Sequence, residues 1–336
     1  MRISTPFTQE ISVNAMLEQQ AKMAKSQAQM ASGLRVETPS DDPPAMVRAL
    51  VLQDSIAQTE QYKTNVTMAR SRLSQEEGAL DGVGNTLHRL NELAIRGAND
   101  SLNASDRRSI EVEARQLLEQ LKDLMNAKND SGEFMFGGFV STTEPFSLDA
   151  TAGSATQGSY IYRGDGNQHA TRIGPNFTMK DSDPGDAAFE INTAATPTVP
   201  PVTVWPPSVP ASITRPWNNP AATPPTVPEP NILNVVFNFA ENMANNTPDP
   251  MDIERIQRAI TKVEDVRVTI GARLSALDSQ EDLQVKFVAD EKGYLSTARD
   301  LDYSEAISRY NLQSTALQAA QQSYAKVQKL SLFNYL

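Results

Sequence analysis

The sequence predicts a mainly α-helical protein, an elongated rod of long, coiled-coil-like helices from both ends of the chain with a small β-rich, proline-rich insert. Three observations carry that expectation. Small and apolar residues recur at alternating spacings of three and four near the start and the finish, the ~3.5-residue period of a seam that meets another helix. Between them the pattern changes to short aromatic runs bounded by Gly, Asn and Asp. Finally, twelve prolines fall between Pro197 and Pro230, a density that forbids helix and central strand.

The first helix is expected from about Pro6 to Ser32, stopped by Gly33. Leu17, Ala21, Ala24, Ala28 and Ala31 make one stripe along it. Val13, Met16, Gln20, Met23, Gln27, Met30 and Leu34 make a second beside the first, more sticky surface than one partner helix requires. At the other end of the chain Ala306, Tyr310, Gln313, Leu317, Ala320, Tyr324, Val327 and Ser331 keep the same period. These stripes are thin. Burying a Leu stabilises by roughly 1.5–3 kcal/mol and an Ala by much less, whereas ordering the backbone costs about 1–2 kcal/mol per residue. Neither end can fold alone, so each is expected to be completed by the other and by neighbouring molecules. The residues expected at that assembly interface are Leu17, Ala21, Ala24, Ala28, Ala31, Tyr310, Leu317, Tyr324, Val327 and Leu332.

Glu37 to Pro44 reads as a connector ending in a helix start, with Asp42 placed to cap and Pro43 in the first turn. The helix that follows, Pro43 to Ala98, would be roughly 84 Å long. Val66, Ala69, Leu73, Glu76, Leu80, Val83, Leu87, Leu90 and Ala94 hold its heptad pattern with one polar entry, while Gly78, Gly82 and Gly84 weaken its middle. A turn at Asn99–Ala104 leads to a third helix, capped near Ser105, carrying Ile110, Ala114, Leu117, Leu121 and Leu124. Short strands are expected at Glu133–Gly138, Pro145–Leu148, Ser159–Tyr162 and Ala170–Ile173, with a turn at Arg163–Gly166. The proline-rich segment holds both tryptophans, Trp205 and Trp217, which could pin it to the β region or make it a ligand for a proline-binding domain. Helix returns at Asp249–Asp252, and Ile253, Ile256, Ile260, Val263, Arg267, Ile270, Leu274 and Leu277 form a seam able to pack on the helical hairpin. Acid-containing residues from Asp278 to Asp302 lead into the terminal helix. Three domains are expected: 1–36 with 303–336 as a coiled-coil assembly domain, 37–132 with 232–302 as a bundle, and 133–231 as the insert.

Composition narrows the function. A net charge of −11 over 336 residues, with the basic residues scattered, argues against nucleic acid or an anionic membrane as partner. The absence of cysteine removes disulfides, thiolate metal sites and cysteine nucleophiles. Met1–Ile11 lacks the apolar run of a cleaved secretory signal, and no stretch reaches the ~20 apolar residues of a membrane span. His88 and His169 are the two histidines of the chain, and neither has a second histidine at metal-ligand spacing. Asp181–Asp186 resembles a calcium loop but lacks the sixth-position Gly and the closing carboxylate, so it reads as a surface turn. Arg163-Gly-Asp165 matches an adhesion tripeptide, although a hairpin turn explains the same residues. No phosphate loop, dinucleotide fingerprint or nucleophile elbow occurs, so neither an enzyme nor a cofactor is expected.

Ala31-Ser-Gly-Leu-Arg-Val-Glu-Thr-Pro-Ser-Asp-Asp-Pro43 is similar to the N-terminal signature of bacterial flagellins and their relatives, and Val266–Leu274 resembles the matching C-terminal region. Within that superfamily four features resemble the hook-filament junction proteins. They are Met1–Thr5, Phe134–Gly138, the pair Thr143–Phe146 and Tyr162–Asp165, and Leu330–Leu336. The likeness covers residues 1 to about 175 and 232 to 336, and the proline-rich insert has no counterpart. It implies an axial structural protein of the flagellum, exported unfolded through the flagellar type III apparatus and located outside the cell. It also implies a ring of copies between the first hook-associated protein and flagellin, an export chaperone, and an inner tube built from both termini. A filament subunit of flagellin type is the nearest rival, and a glycan-binding or adhesive insert is a second class.

Overall fold

The structure, a computed structural model, describes residues 5–151, 154, 156–191 and 231–333. Its elements are α1 (Thr5–Ser32), α2 (Pro43–Gly97), α3 (Ala104–Met125), β1 (Phe146–Leu148), β2 (Tyr160–Tyr162), β3 (Ala170–Arg172), β4 (Thr178–Lys180), α4 (Gly185–Phe189), α5 (Ile232–Ala244), α6 (Met251–Arg299) and α7 (Tyr303–Phe333). The fold is mainly α, with two small antiparallel two-stranded sheets, β1–β2 and β3–β4. The chain divides into two units, residues 1–61 with 283–336 and residues 62–282, so the division falls inside α2 and α6.

Residues 62–282 hold one continuous apolar core. Every position of the predicted α2 seam is buried, from Val66 through Leu73, Leu80 and Leu87 to Ala94, and Glu76 is buried with them. Opposite lie Ile110, Ala114, Leu118, Leu121 and Met125 of α3, and Ile256, Ile260, Val263, Ile270 and Leu277 of α6. The cap of α3 is Asn103 rather than Ser105: its side chain accepts from the N–H groups of Ser105 and Asp106, and Asp106 accepts from the Asn103 N–H in return. α5 precedes the predicted return of helix at Asp249 and is the most apolar helix of the unit, burying Ile232, Leu233, Val236 and Phe239. Its asparagines close the open edge of β2. Asn234 accepts from the Tyr160 N–H and donates to the Tyr160 carbonyl, to which Asn231 also donates. An edge strand is thereby paired by side chains instead of by a further strand.

Three further expectations are corrected. Glu133–Gly138 is not a strand: Phe134 makes a single bridge to Lys128 and the rest is turns, because Phe136 is drawn under the sheet against Phe189. β4 and α4 follow where the sequence predicts no element. Asp181 and Asp183 are buried rather than on a surface turn, held by Arg72 and Arg273. The proline-rich segment with Trp205 and Trp217 lies outside the described residues.

Residues 5–61 with 283–333 form the other unit. Here α1 lies antiparallel to α7, since partners climb in one helix as they fall in the other: Ser26 with Gln313, Gln27 with Tyr310, Met30 with Tyr303. The turns beyond them are tied together. Arg35 N–H donates to the Arg299 carbonyl, the Arg35 guanidinium to the Ala298 carbonyl, and Leu301 N–H to the Gly33 carbonyl. Gly33 ends α1 at φ 72°, the left-handed conformation that helix ends favour. Asp42 caps α2 as the sequence predicts, accepting from the Ala45 N–H, and that bond with the Arg35 pair lowers its pKa.

Candidate assembly interface

The seam between α1 and α7 is built from polar and flexible residues. On α1 the inward positions are Ser12, Met16, Gln19, Met23, Ser26 and Met30, stepping by four and three. On α7 they are Ala306, Tyr310, Gln313, Leu317 and Tyr324, of which Ala306 and Leu317 are buried. Ser26 donates to Gln313 at 2.9 Å and Gln27 to Tyr310 at 3.2 Å. Gln29 is buried and donates to the Arg35 carbonyl at 2.7 Å, holding the turn that follows. A seam of this kind fixes register through hydrogen bonds and gives up apolar burial to do so.

That arrangement separates the predicted interface residues into two groups. Tyr310, Leu317 and Tyr324 face α1 within the same chain. Leu17, Ala21, Ala24, Ala28 and Ala31 all face away from α7 and are exposed, Leu17 by 57%. Val327 and Leu332 stand on the last turns of α7. The second stripe read from the sequence is half right in detail: Met16, Met23, Met30 and Leu34 turn inward, Val13 and Gln20 do not, and Gln27 is exposed but reaches the Tyr310 hydroxyl. The period alone cannot say which of two adjacent stripes a single partner helix will take, because both satisfy it.

The exposed stripe has company that periodicity did not reveal. Phe7 and Ile11 on α1 are 57% and 52% exposed. Val47, Leu50 and Val51 stand outward on the first turns of α2, and Leu283, Phe287 and Tyr294 on the last part of α6. Tyr303, Ile307 and Leu312 do the same on α7, Leu312 at 73%. These residues could have been found by asking which apolar positions fall off the seam, since a surface helix in water has no reason to keep Val47, Leu50 and Val51 together. A shallow groove of about 380 Å³ lies beside them, lined by Arg35, Pro44, Arg48, Leu52, Tyr294 and Thr297 among others. It lacks any convergent set of acids, bases or nucleophiles. Among the described residues no group of His, Asp and Glu could hold a metal ion, and no helix is long and apolar enough to cross a membrane. His88 is exposed with Glu264 4.0 Å away, and His169 packs edge-on against Phe139 with Nε2 3.2 Å from the Gly138 carbonyl. The Arg163-Gly-Asp165 tripeptide is a structural turn: Asp165 accepts from the Phe139 N–H and its carbonyl accepts from the Tyr162 hydroxyl.

Exposed apolar helix faces on residues from both ends of a chain suit a subunit of an assembly, and the comparisons point to relatives of that kind. The profile described as the bacterial flagellin N-terminal helical region matches residues 3–141. The flagellar hook-associated protein 3 of Escherichia coli is 27% identical over 337 residues, covering 99% of each chain. The likeness to a hook-associated protein thus runs along the whole chain, while the flagellin profile matches its first part. Flagellar hook-associated protein 3 of Salmonella typhimurium is likewise 27% identical, again over 99% of both chains. Flagellin from Salmonella dublin is 27% identical over 39% of this chain and 26% of its own length. In fold, the chain is similar to a putative flagellar hook-associated protein from Vibrio parahaemolyticus, with a TM-score of 0.60 at 19% identity over 77% of this chain and 100% of that one. It is also similar to the flagellar junction protein of Legionella pneumophila, with a TM-score of 0.56 at 22% identity over 75% and 99%.

Proposed function

We propose that this chain is the structural subunit that joins the flagellar hook to the flagellin filament. The observation that carries the reading is the extent of the likeness. It runs over 99% of the chain with two hook-associated proteins 3, against 39% with a flagellin. A filament subunit would be expected to match flagellins beyond the helical regions that the whole superfamily shares. In this reading the subunit is a scaffold without an active site, works outside the cell in the flagellum, and reaches it through the flagellar type III apparatus. Its partners are the first hook-associated protein on one side, flagellin on the other, copies of itself around the ring, and an export chaperone beforehand.

The exposed stripe of Leu17, Ala21, Ala24, Ala28 and Ala31 is the surface that takes a neighbouring helix, while Tyr310, Leu317 and Tyr324 hold α7 onto α1. Small side chains support this division because Ala lets helix axes approach closely, and they offer nothing as an isolated solvent-facing stripe. The test is joining to purified hooks that end in the first hook-associated protein, followed by sedimentation. Ala24→Glu is expected to abolish joining while leaving the circular dichroism of the monomer unchanged, since Ala24 is exposed in the single chain. Wild-type joining by Ala24→Glu and by Leu17→Asp would remove the stripe from the interface. Failure of the wild-type chain to join hooks at all, with efficient self-polymerisation into filaments, would favour the flagellin reading.

A further inference from the structure

Inside the unit of residues 62–282 lies a buried charged cluster. Glu76 occupies a seam position of α2, flanked along the heptad by Leu73 and Leu80, and is 2% exposed. Its Oε1 accepts from the Asp183 N–H at 3.0 Å. Asp183 in turn accepts from both terminal nitrogens of Arg273 on α6, at 2.7 and 3.0 Å, and from Gln168 at 2.7 Å. Asp181 accepts from Arg72 of α2 at 2.8 Å and from the Thr171 hydroxyl at 2.7 Å, both on Oδ2, while its buried Oδ1 has no hydrogen-bond partner. The cluster therefore ties the segment after β4 across two long helices.

Its charges do not cancel. Three carboxyl groups, Glu76, Asp181 and Asp183, face two guanidinium groups, Arg72 and Arg273, in a place where Asp181, Asp183 and Glu76 are each at most 5% exposed. The two aspartates each hold an arginine directly; Glu76 holds only a backbone N–H. A buried carboxylate without a counter-ion is expensive, and a bound proton removes the excess charge. We propose that this cluster is a proton-linked latch, in which Glu76 carries a proton in the folded unit and gives it up when the 181–189 segment leaves α2 and α6.

Burial and the nearby Asp183 push the Glu76 pKa well above the ordinary glutamate range, with the Asp183 N–H and Arg273 opposing more weakly. The sign follows from that direction. In the unfolded chain Glu76 titrates at its ordinary value, so from there upward folding requires a proton the unfolded state does not hold. The stability contributed by neutral Glu76 is full below the unfolded pKa and is lost as pH rises through the folded one.

Thermal unfolding of the full chain and of Glu76→Gln, from about pH 5 to about pH 9, tests the latch. Gln keeps an oxygen for the Asp183 N–H and cannot ionise. The melting temperature of Glu76→Gln should match the wild type at the acid end and rise progressively above it towards the alkaline end. A difference that stays constant with pH would overturn the proposal. Should Glu76→Gln fail to fold, two measurements on the wild type decide. Calorimetric unfolding near pH 7 in buffers of differing ionisation enthalpy should release about one proton per molecule. Infrared difference spectra should show a protonated carboxyl lost on unfolding. Neither proton release nor that band would mean that Glu76 is ionised in the fold and that the latch does not exist.

Discussion

Gly138 takes φ 65°, and a Cβ there would overlap both Asp165 Oδ1 and the Asp165 carbonyl oxygen. Asp165 cannot withdraw cheaply, because the same Oδ1 accepts from the Phe139 N–H at 2.7 Å. Gly132 has a similar φ of 81°, yet a Cβ added there would meet no atom within 4 Å. The pair separates two costs: left-handed backbone alone is about 1–2 kcal/mol, and displacing a bonded carboxylate adds roughly another 1–3. Gly132→Ala should lower stability by about 1 kcal/mol and Gly138→Ala by about 3, read from urea midpoints of the 62–282 transition. Equal losses would mean that the turn shifts freely and that Asp165 does not brace it. Residues of this kind are the hardest to read from sequence. Gly137-Gly138 looks like the end of a strand, and Asp181–Asp186 like solvent-facing punctuation. What buries Asp181 and Asp183 is Arg72 and Arg273, 109 and 90 residues away in the chain. No local pattern carries that information.

At the scale of elements, long periodic helices are legible and short ones are not. The α2 seam from Val66 to Ala94 is buried at every predicted position because four successive heptads average out any single exception, including Glu76. α5 is harder to read for another reason: it is only 13 residues long, and both its apolar residues and the asparagines spaced four apart are buried. Its four inward asparagines, Asn231, Asn234, Asn238 and Asn242, look like loop residues in the sequence, yet they cap the helix, bond the β2 edge, donate to the Asn234 carbonyl one turn back or hold Asp252. The same elements fix the two ends of the proline-rich segment. Glu190 and Asn231 form an antiparallel bridge, so the chain leaves and returns at one point, and Ile191 is buried beside it. When ends already meet, the length of what lies between them costs little, growing only as the logarithm of loop length. Replacing residues 193–229 by a short Gly/Ser linker should therefore leave the melting temperature of the 62–282 unit within a few degrees. A collapse of that transition would show that the removed residues contribute to the core.

Across the whole molecule, burial is unevenly shared, and that sets the order in which it should come apart. The continuous apolar core, from Val66 to Leu277, lies entirely within residues 62–282. The other unit buries Val36, Ala45, Ala49, Val288, Leu301, Ala306 and Leu317, together with Ser26, Gln29, Thr59, Gln284 and Glu291. A polar seam can be specific without being strong: each net hydrogen bond adds about 0.5–1.5 kcal/mol, less than a buried Leu, and Ser12, Gln19, Ser26, Ala306 and Gln313 of the seam are small or polar. Local stability should follow that distribution. In dilute monomer, amides of α1 and α7 should exchange at least about 100-fold faster than those of α3 and of α2 between Val66 and Ala94, with a separate early transition on heating. Binding that covers the Leu17–Ala31 stripe can then stabilise α1 and α7 by linkage, because anything that binds only the ordered pair shifts its equilibrium towards order. Exchange in the two terminal helices should slow on joining to hooks, whereas the 62–282 core should not change. Terminal helices already as protected in the monomer as the core would mean that the polar seam is sufficient by itself, and that the exposed stripe plays no part in ordering the chain ends.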